Sequence, residues 1–502
     1  MADAPPFVLL LNPPYVEEVY DFKQDFSVEY PLGLAYLAGT LEREGIEYDI
    51  LDANAHGFSF NSTVAAALER RPRLLGITST TTTVVLAGRI AAETKRRDPG
   101  VILVLGGAHA NAIPAETLAD FPAFDYVVQG DGELVLADLC HTLRAGLRVE
   151  DDRERWEPAN AHGGLWFRNE RGEPVHFAPR RVFPHLDEIP FPSRKKLANE
   201  LYDIGPLMNA GYRGLELTKL AGSRGCPYAC NFCSEGMEWP PYRSRTPENI
   251  FKEIETCYHR DGARHFYFVD DTINVRTKDL FKLCSMIRES GMKIRWHCHA
   301  RVRPINDEIL TAMKESGCFG LMFGVESGDP EIIRGLGKNI TTDHVRSAVA
   351  LAKKHGFKVL TFFMFGHIGD TPESCQRTID FACEINPDLA FFSMATPYPG
   401  TELYQHFLAN GALSGTFSWD DFRPHKKNAM HHTPTMTSEE IWRFYNKAHR
   451  VFYLRPRYVG RALHRMLQAP REVSDYWWLV KEFVQSHEWI PSPVNPGSSA
   501  RA

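Results

Sequence analysis

Three cysteines stand close together in Ser223-Arg-Gly-Cys226-Pro-Tyr-Ala-Cys230-Asn-Phe-Cys233. This spacing lets one short loop wrap three thiolates around a metal cluster. A structural iron–sulfur cubane takes four cysteines, and no fourth lies nearby in sequence. Three thiolates on a 4Fe-4S cluster leave one iron open, which is what a catalytic metal needs. A zinc site completed by a distant His or Cys, or three packed thiols, are the alternatives for the same residues. The other cysteines (Cys140, Cys257, Cys284, Cys298, Cys318, Cys375 and Cys383) are scattered and read as small buried hydrophobes. His297 and His299 in Trp296-His-Cys-His-Ala-Arg301 share a strand face by alternation. They read as proton donors or acceptors at a barrel mouth, or as its hydrogen-bonded lining. Arg301 suits a bidentate carboxylate contact or a surface ion pair. His431-His432 reads as plain loop.

The cluster loop follows a strand beginning near Leu215. Further strands are expected at His265 to Val269, Lys293 to His299, Gly320 to Val325, Lys358 to Phe365 and Leu389 to Ala395. Helical stretches such as Pro247 to His259 and Thr342 to His355 lie between them. Thr246 is a fair N-cap, with proline at the first helical position. Six strand–helix units in a row predict a parallel barrel, or part of one, with chemistry at the strand C-termini. Upstream, Phe7 to Asn12, Glu47 to Leu51, Leu74 to Thr78, Val101 to Leu105 and Tyr126 to Val128 alternate with helices. That pattern predicts a parallel sheet covered on both faces, binding ligand at its carboxyl edge.

The resulting α/β division has four parts. Residues 1–146 form a Rossmann-like (flavodoxin-like) sheet, and 147–207 a polar, proline-bearing linker with a small hairpin near Gly164 to Phe177. Residues 208–411 form a partial (β/α)6 TIM-like barrel, and 412–502 a mostly helical, aromatic region containing Trp442, Phe452, Tyr453, Trp477 and Trp478. Only the Pro-, Ser- and Gly-rich tail from Pro491 has a disordered composition.

Among 502 residues, 57 are basic and 63 acidic, for a formal charge of −6. That balance gives no general attraction to nucleic acid or anionic membrane. No apolar run is long enough to span a bilayer, and the N-terminus has no signal-peptide pattern. The expectation is a cytoplasmic protein, where clustered cysteines bind metal or catalyse more readily than they form disulfides.

At the cysteine loop the chain resembles the radical S-adenosylmethionine (SAM) superfamily, whose signature is Cys-x3-Cys-x2-Cys with an aromatic residue, here Phe232, before the last cysteine. The resemblance implies that Cys226, Cys230 and Cys233 hold a 4Fe-4S cluster whose open iron chelates SAM, and that one electron splits SAM into methionine and a 5′-deoxyadenosyl radical. It extends to Phe268-Val-Asp270-Asp271, Gly324-Val-Glu326-Ser327-Gly328 and Phe365-Gly366, each ending a barrel strand. It implies SAM contacts at Phe232, Asp270, Asp271, Arg301, Glu326, Ser327 and Gly366. Tyr242-Arg-Ser-Arg245 resembles a family segment near substrate or SAM.

The first domain is similar to the cobalamin-binding domain that precedes one large branch of that superfamily. The similarity lies in Asn12-Pro13-Pro-Tyr15, Pro31 to Ala38, Gly106-Gly107-Ala-His109 and Gly130-Asp-Gly132-Glu133. It implies cobalamin contacts at Asn12, Pro13, Tyr15, Gly106, Gly107, His109, Gly130, Gly132 and Glu133. The usual Asp-x-His-x-x-Gly after the first strand is absent, so no His ligand to cobalt is expected.

The whole resemblance implies methylation of an unactivated carbon of a small-molecule or lipid substrate, by way of methylcobalamin and the adenosyl radical. An electron donor such as flavodoxin or ferredoxin is implied with it. The rivals are a radical cyclase like the anaerobic magnesium-protoporphyrin ester cyclase, another radical rearrangement, or a corrinoid-binding protein without catalysis.

Overall fold

The computed structural model describes residues 6–14, 28–149, 151–152, 156, 164–177, 183, 185–202, 217–234, 242–413, 417–422 and 429–468. The expected Tyr15, Trp477, Trp478 and the C-terminal tail lie outside these.

Five short apolar strands, β1 (Val8–Asn12), β2 (Tyr48–Asp52), β3 (Leu74–Thr78), β4 (Ile102–Gly106) and β5 (Tyr126–Gln129), pair in parallel in the order β2-β1-β3-β4-β5. Their side chains are buried on both faces, because helices cover both. α1 (Leu32–Arg43) and α6 (Gly132–Arg144) lie on one side, and α2 (Phe60–Glu69) and α3 (Val84–Arg97) on the other. α4 (Ala108–Ala112) and α5 (Pro114–Asp120) fill the β4–β5 connection. The order reverses between β1 and β3, so a crevice opens at their carboxyl ends.

The hairpin expected within the linker is β6 (Gly164–Arg168) and β7 (Pro174–His176), and it continues the first sheet antiparallel to β5. Polar composition hid this, since an edge hairpin needs only one buried face.

β8 (Leu217–Leu220) opens the second sheet. A two-residue pair follows, β9 (Ser223–Arg224) with β10 (Arg243–Ser244), and then β11 (His265–Phe268), β12 (Arg295–Ala300), β13 (Cys318–Glu326), β14 (Lys358–Phe365) and β15 (Leu389–Met394). β8 and β11–β15 neighbour one another in chain order, all parallel, as a partial barrel. Helices α7 (Pro247–Arg260), α8 (Thr277–Glu289), α9 (Asp307–Glu315), α10 (Pro330–Gly335), α11 (Thr342–Lys354) and α12 (Pro372–Ile385) form the crossovers. α11 and α12 each begin on a threonine whose side chain closes a capping box; such a cap is worth about 1 kcal/mol. After β15 come α13 (Glu402–Ala409), α14 (Ser438–Tyr453) and α15 (Pro456–Gln468). Phe452 is fully buried and the Tyr453 hydroxyl donates to the Ala390 carbonyl at 2.8 Å, so these aromatics pack α14 onto the barrel.

Candidate functional site

The cluster loop leaves the barrel at the end of β8 and is held from beneath. Asp270, buried at the end of β11, accepts from the Gly222 amide (2.9 Å) and the Ser223 hydroxyl (2.5 Å). Burial raises its carboxyl above the usual range. Asp270 therefore anchors the approach to the loop with both oxygens, while Asp271 is exposed beside Cys226. Burial, with the Asp271 charge adding to it, pushes the Cys226 thiol up.

Backbone bonds fix the loop's curvature. The Cys233 amide donates to the Cys230 carbonyl at 3.0 Å. The Asn231 amide donates to Leu336, and its side chain to Gly335. On the other side, the Leu403 amide donates to the Asn231 carbonyl. Gly337 has φ +70, and a Cβ there would stand 2.7 Å from the Ala229 carbonyl oxygen, so only glycine lets the two loops touch. Cys226, Cys230 and Cys233 are each half-buried and form no disulfide. Among the described residues, no three His, Cys, Asp or Glu side chains close on a single metal ion; a cubane asks for a wider set, one thiolate per iron. The donor chemistry fits a 4Fe-4S cluster.

Three expected SAM contacts, Phe232, Arg301 and Glu326, gather around this loop through a residue not foreseen, Lys338. Its Nζ pairs with Glu326 at 2.5 Å in a largely buried bridge and lies 6.0 Å from the Phe232 ring centre. Its carbonyl accepts from Arg301, whose guanidinium lies 3.6 Å over the Tyr228 ring. Arg301 is thus buried, not part of a surface ion pair. Glu326 adopts φ +69, and a Cβ on Gly324 would collide with both Glu326 and Lys338. Gly366 at φ +90 donates its amide to Asp370, and its carbonyl takes a 2.6 Å hydrogen bond from His431. His431, expected as plain loop, is instead buried and stacked on Phe407 at 4.2 Å. Its loop carries enough apolar neighbours to fold it inward, whereas His432 stays exposed.

Ser327 does not join the group. Its hydroxyl is shared with Thr378 at 3.0 Å and accepts from the Asp329 amide. His367, also unforeseen, is fully buried with neither ring nitrogen partnered, and burial brings it down to about 4. It packs 5.6 Å from Phe232. An orphaned imidazole beside the cluster loop is what a polar ligand would satisfy. His297 and His299 act as barrel lining: His297 bonds to His265 at 2.9 Å, and His299 to the Tyr267 hydroxyl at 2.8 Å.

At the carboxyl edge of the first sheet lie two adjoining cavities, of about 520 and 400 Å³. Gly33, Gly76, Gly106, Gly107, Gly130 and Gly132 line the smaller, with apolar Leu10, Val104 and Val128 behind them. A Cβ on Gly106 would point into open space, and Gly107, at φ +99, could carry none without striking Ser79. Asn12 and a run of hydroxyls, Thr78 to Thr83, line the larger. Ser79 is buried there with its hydroxyl unpartnered. A glycine cradle with an apolar slot and a hydroxyl rim fits a large ligand with a flat face, as cobalamin is. Asn12 also donates to Asp52 at 2.9 Å. Pro13 is buried beside it. His109 lines neither cavity; it is fully buried, 3.2 Å from Thr81 and edge-on to Trp419.

Glu133 lines the smaller cavity but commits its charge elsewhere. It pairs with Arg224 at 2.5 Å, and Asp131 takes both Arg224 (2.9 Å) and Arg243 (2.5 Å). Arg245 pairs with the buried Glu253. Within the segment Tyr242 to Arg245, expected near substrate or SAM, Arg243 thus crosses to the first domain, and Arg245 pairs within the barrel while reaching the Tyr36 hydroxyl at 3.4 Å. The larger cavity is closed from the barrel side by Ser234, Tyr398 and Pro399. One space therefore touches both the first sheet and the residue after the third cysteine.

The model of the radical SAM superfamily matches residues 220–382, and that of the B12 binding domain residues 26–140. An uncharacterized methyltransferase of Pyrococcus horikoshii is 33% identical over 428 residues, spanning 85% of this chain and 88% of the relative. The chain belongs to the radical SAM superfamily, in the branch with a B12-binding domain. A 4Fe-4S cluster, SAM and cobalamin are the cofactors of such proteins. The anaerobic magnesium-protoporphyrin IX monomethyl ester cyclase of Rubrivivax gelatinosus is 27% identical, over 75% of this chain and 66% of its own. The solved structure of the radical SAM methyltransferase TsrM from Kitasatospora setae, with cobalamin and a 4Fe-4S cluster bound, shares the fold. The TM-score is 0.64 at 20% identity, over 82% of this chain and 79% of that one. Among the described residues no helix is long and apolar enough to cross a membrane.

Proposed function

We propose that this enzyme methylates a carbon of a small-molecule or lipid substrate, drawing on both cofactors across the cavity between its domains. The supporting observation is that cavity: Asn12 and Thr78 to Thr83 line it from the first domain, and Ser234 and Tyr398 from the second. When bound, the cluster supplies the electron that cleaves SAM, and cobalamin supplies a methyl group. Cys226, Cys230 and Cys233 hold the cluster and leave one iron for SAM. Glu326, paired with Lys338, and Arg301 present polar groups to SAM beside that loop, and Phe232 and His367 offer it a flat wall. Ser79 and its neighbouring hydroxyls face the cobalamin rim, with the six glycines admitting its bulk. The ion pairs at Asp131 and Glu133 keep the two sites in register. We place the reaction in the cytoplasm, with flavodoxin or ferredoxin as electron donor.

The test is anaerobic reconstitution with cluster and hydroxocobalamin, followed by product analysis with labelled SAM. A methyltransferase of this kind releases S-adenosylhomocysteine and 5′-deoxyadenosine together. The likeness to the cyclase over three-quarters of the chain favours a second reading, radical ring closure. In that case 5′-deoxyadenosine appears without S-adenosylhomocysteine, and the methyl-transfer reading falls.

A further inference from the structure

We propose that the inner face of the partial barrel takes the substrate as a flat, largely apolar molecule bearing one anionic group, which replaces Glu29 on the ammonium of Lys219. This deepens the reading above, since it names the substrate class for the same interdomain site.

Parallel register places Lys219, Tyr267 and His297 on one rung of β8, β11 and β12, so their side chains leave the sheet on the same face. That face is opposite the one packed on the helices, where Leu220, Phe268 and Cys298 are buried. Lys219 Nζ lies 5.8 Å from the Tyr267 ring centre. Tyr267 stacks on His297 at 4.5 Å and hydrogen-bonds His299 at 2.8 Å. His299 stacks on Phe362, and Phe362 on Phe391, each at 5.7 Å with planes within 20° of parallel. Lower on the same face, Ala462 and Met466 of α15 pack with Met322, Leu360 and Leu389 and close it off. Phe391 remains 46% exposed. The result is a row of rings, stacked except for a 37° tilt between Tyr267 and His299, with an exposed ring at one end and a cation at the other. Such rings hold a flat partner by offset stacking.

The cation decides the sign of the ligand. Lys219 bonds Glu29 at 2.6 Å, but the two differ sharply in exposure, at 10% for the lysine side chain and 46% for the glutamate. Glu29 can swing into water cheaply, while a buried ammonium left alone cannot. An anion arriving from the cavity that Glu29 lines would exchange for that carboxylate. The neutral rings behind it match an apolar body.

Three probes with one ring system and different charge test this on the full chain loaded with cluster and hydroxocobalamin: 2-naphthoate, its methyl ester and 2-naphthylmethylammonium, titrated by calorimetry. Naphthoate binds tightest in the unaltered protein. Lys219→Met removes that preference, about a tenfold loss for naphthoate, and leaves the ester unchanged. The retained ester binding reports an intact face. Glu29→Gln, which frees the lysine without touching the core, tightens naphthoate by a similar factor. Tightest binding by the ammonium, absence of binding by all three, a naphthoate preference that survives Lys219→Met, or no tightening in Glu29→Gln overturns the proposal. Because binding alone is read, any of these leaves the product test for methyl transfer standing.

Discussion

Arg224, two residues before the first cluster cysteine, donates both terminal nitrogens to Glu133, at the start of the helix that follows β5. The same guanidinium reaches Asp131, which also takes Arg243 from β10. A four-residue charge network thus ties the glycine-lined ligand edge of one domain to the root of the cluster loop in the other. The loop's position relative to the first domain is set by these bonds as much as by β8.

Arg224→Met leaves the buried Glu133 carboxylate uncompensated, which costs about 3–5 kcal/mol, and is expected to lower the melting temperature by several degrees. Glu133→Gln leaves Arg224 still paired with Asp131 and is expected to lower it less. The double variant recovers part of the loss, because neither charge is then stranded. Thermal unfolding of the three variants measures the coupling. Iron content stays near that of the parent, since no thiolate is touched, while cobalamin retention falls.

The network also sets an acid limit. Burial alone would raise the Asp131 carboxyl, but Arg224 and Arg243 outweigh it and hold it below the usual range. A carboxyl depressed on folding stabilises the protein above its unfolded value and loses that contribution as pH falls through the folded one. The buried imidazoles add an earlier decline: burial lowers His109, His299, His367 and His431 to about 4. Their contribution is complete above about pH 6.5 and drains as pH falls toward 4. Melting temperature should therefore fall steadily between these limits. His109→Leu should flatten the slope without lowering stability at pH 7 by more than about 1 kcal/mol, since the ring gives up one hydrogen bond, Nδ1 with Thr81, and its Nε2 has no partner to lose. The same variant leaves the cobalt electron paramagnetic resonance spectrum unchanged, because His109 lines neither ligand cavity.

Much of the scaffold was legible because apolar strand runs sit between clear turns. Leu74–Thr78 and Lys358–Phe365 fall where the residue pattern puts them. The cysteine loop was legible because its spacing alone has few chemical uses. What packs against it was not. Periodicity reports the face a residue occupies and is silent about the partner across the seam. The family resemblance implies a ligand contact at Glu133 and a substrate or SAM segment around Arg243, and says nothing of the ion pairs that the two also make across the seam, with Arg224 and Asp131. Lys338, in Gly335-Leu-Gly-Lys-Asn339, looks like any charged turn residue, and only the tertiary fold brings Glu326 and Arg301 to it. The hydroxyl run Ser79 to Thr83 was a visible signal, since five successive β-hydroxy side chains after a strand can rim a polar ligand.

Gly337 offers a test of the cluster loop that leaves every cysteine in place. A side chain there meets the Ala229 carbonyl and must also adopt φ +70, a penalty of about 1–2 kcal/mol for the backbone alone. Gly337→Val should push the loop between Cys226 and Cys230 outward. The expected result is a chain with unaltered far-ultraviolet circular dichroism and at most half the iron and sulfide of the parent after reconstitution. Full cluster content in this variant would show that the loop tolerates displacement.

Lys338 permits the sharpest separation of cluster from SAM. It touches none of the cysteines but neutralises Glu326, whose side chain is 7% exposed. Lys338→Met leaves that carboxylate buried without its cation, at a cost of about 3–5 kcal/mol. It also loosens the main chain that receives Arg301. Iron content should hold, because the Gly337–Ala229 contact and the Asn231 backbone bonds remain. SAM binding should weaken at least tenfold, as the two polar side chains flanking the loop lose their common support. Glu326→Gln in the same background removes the stranded charge and should restore stability without restoring SAM affinity. Iron assay, thermal unfolding and SAM titration on the three proteins read these effects apart. If the double variant bound SAM as the parent does, Glu326 and Lys338 would be a structural pair and nothing more.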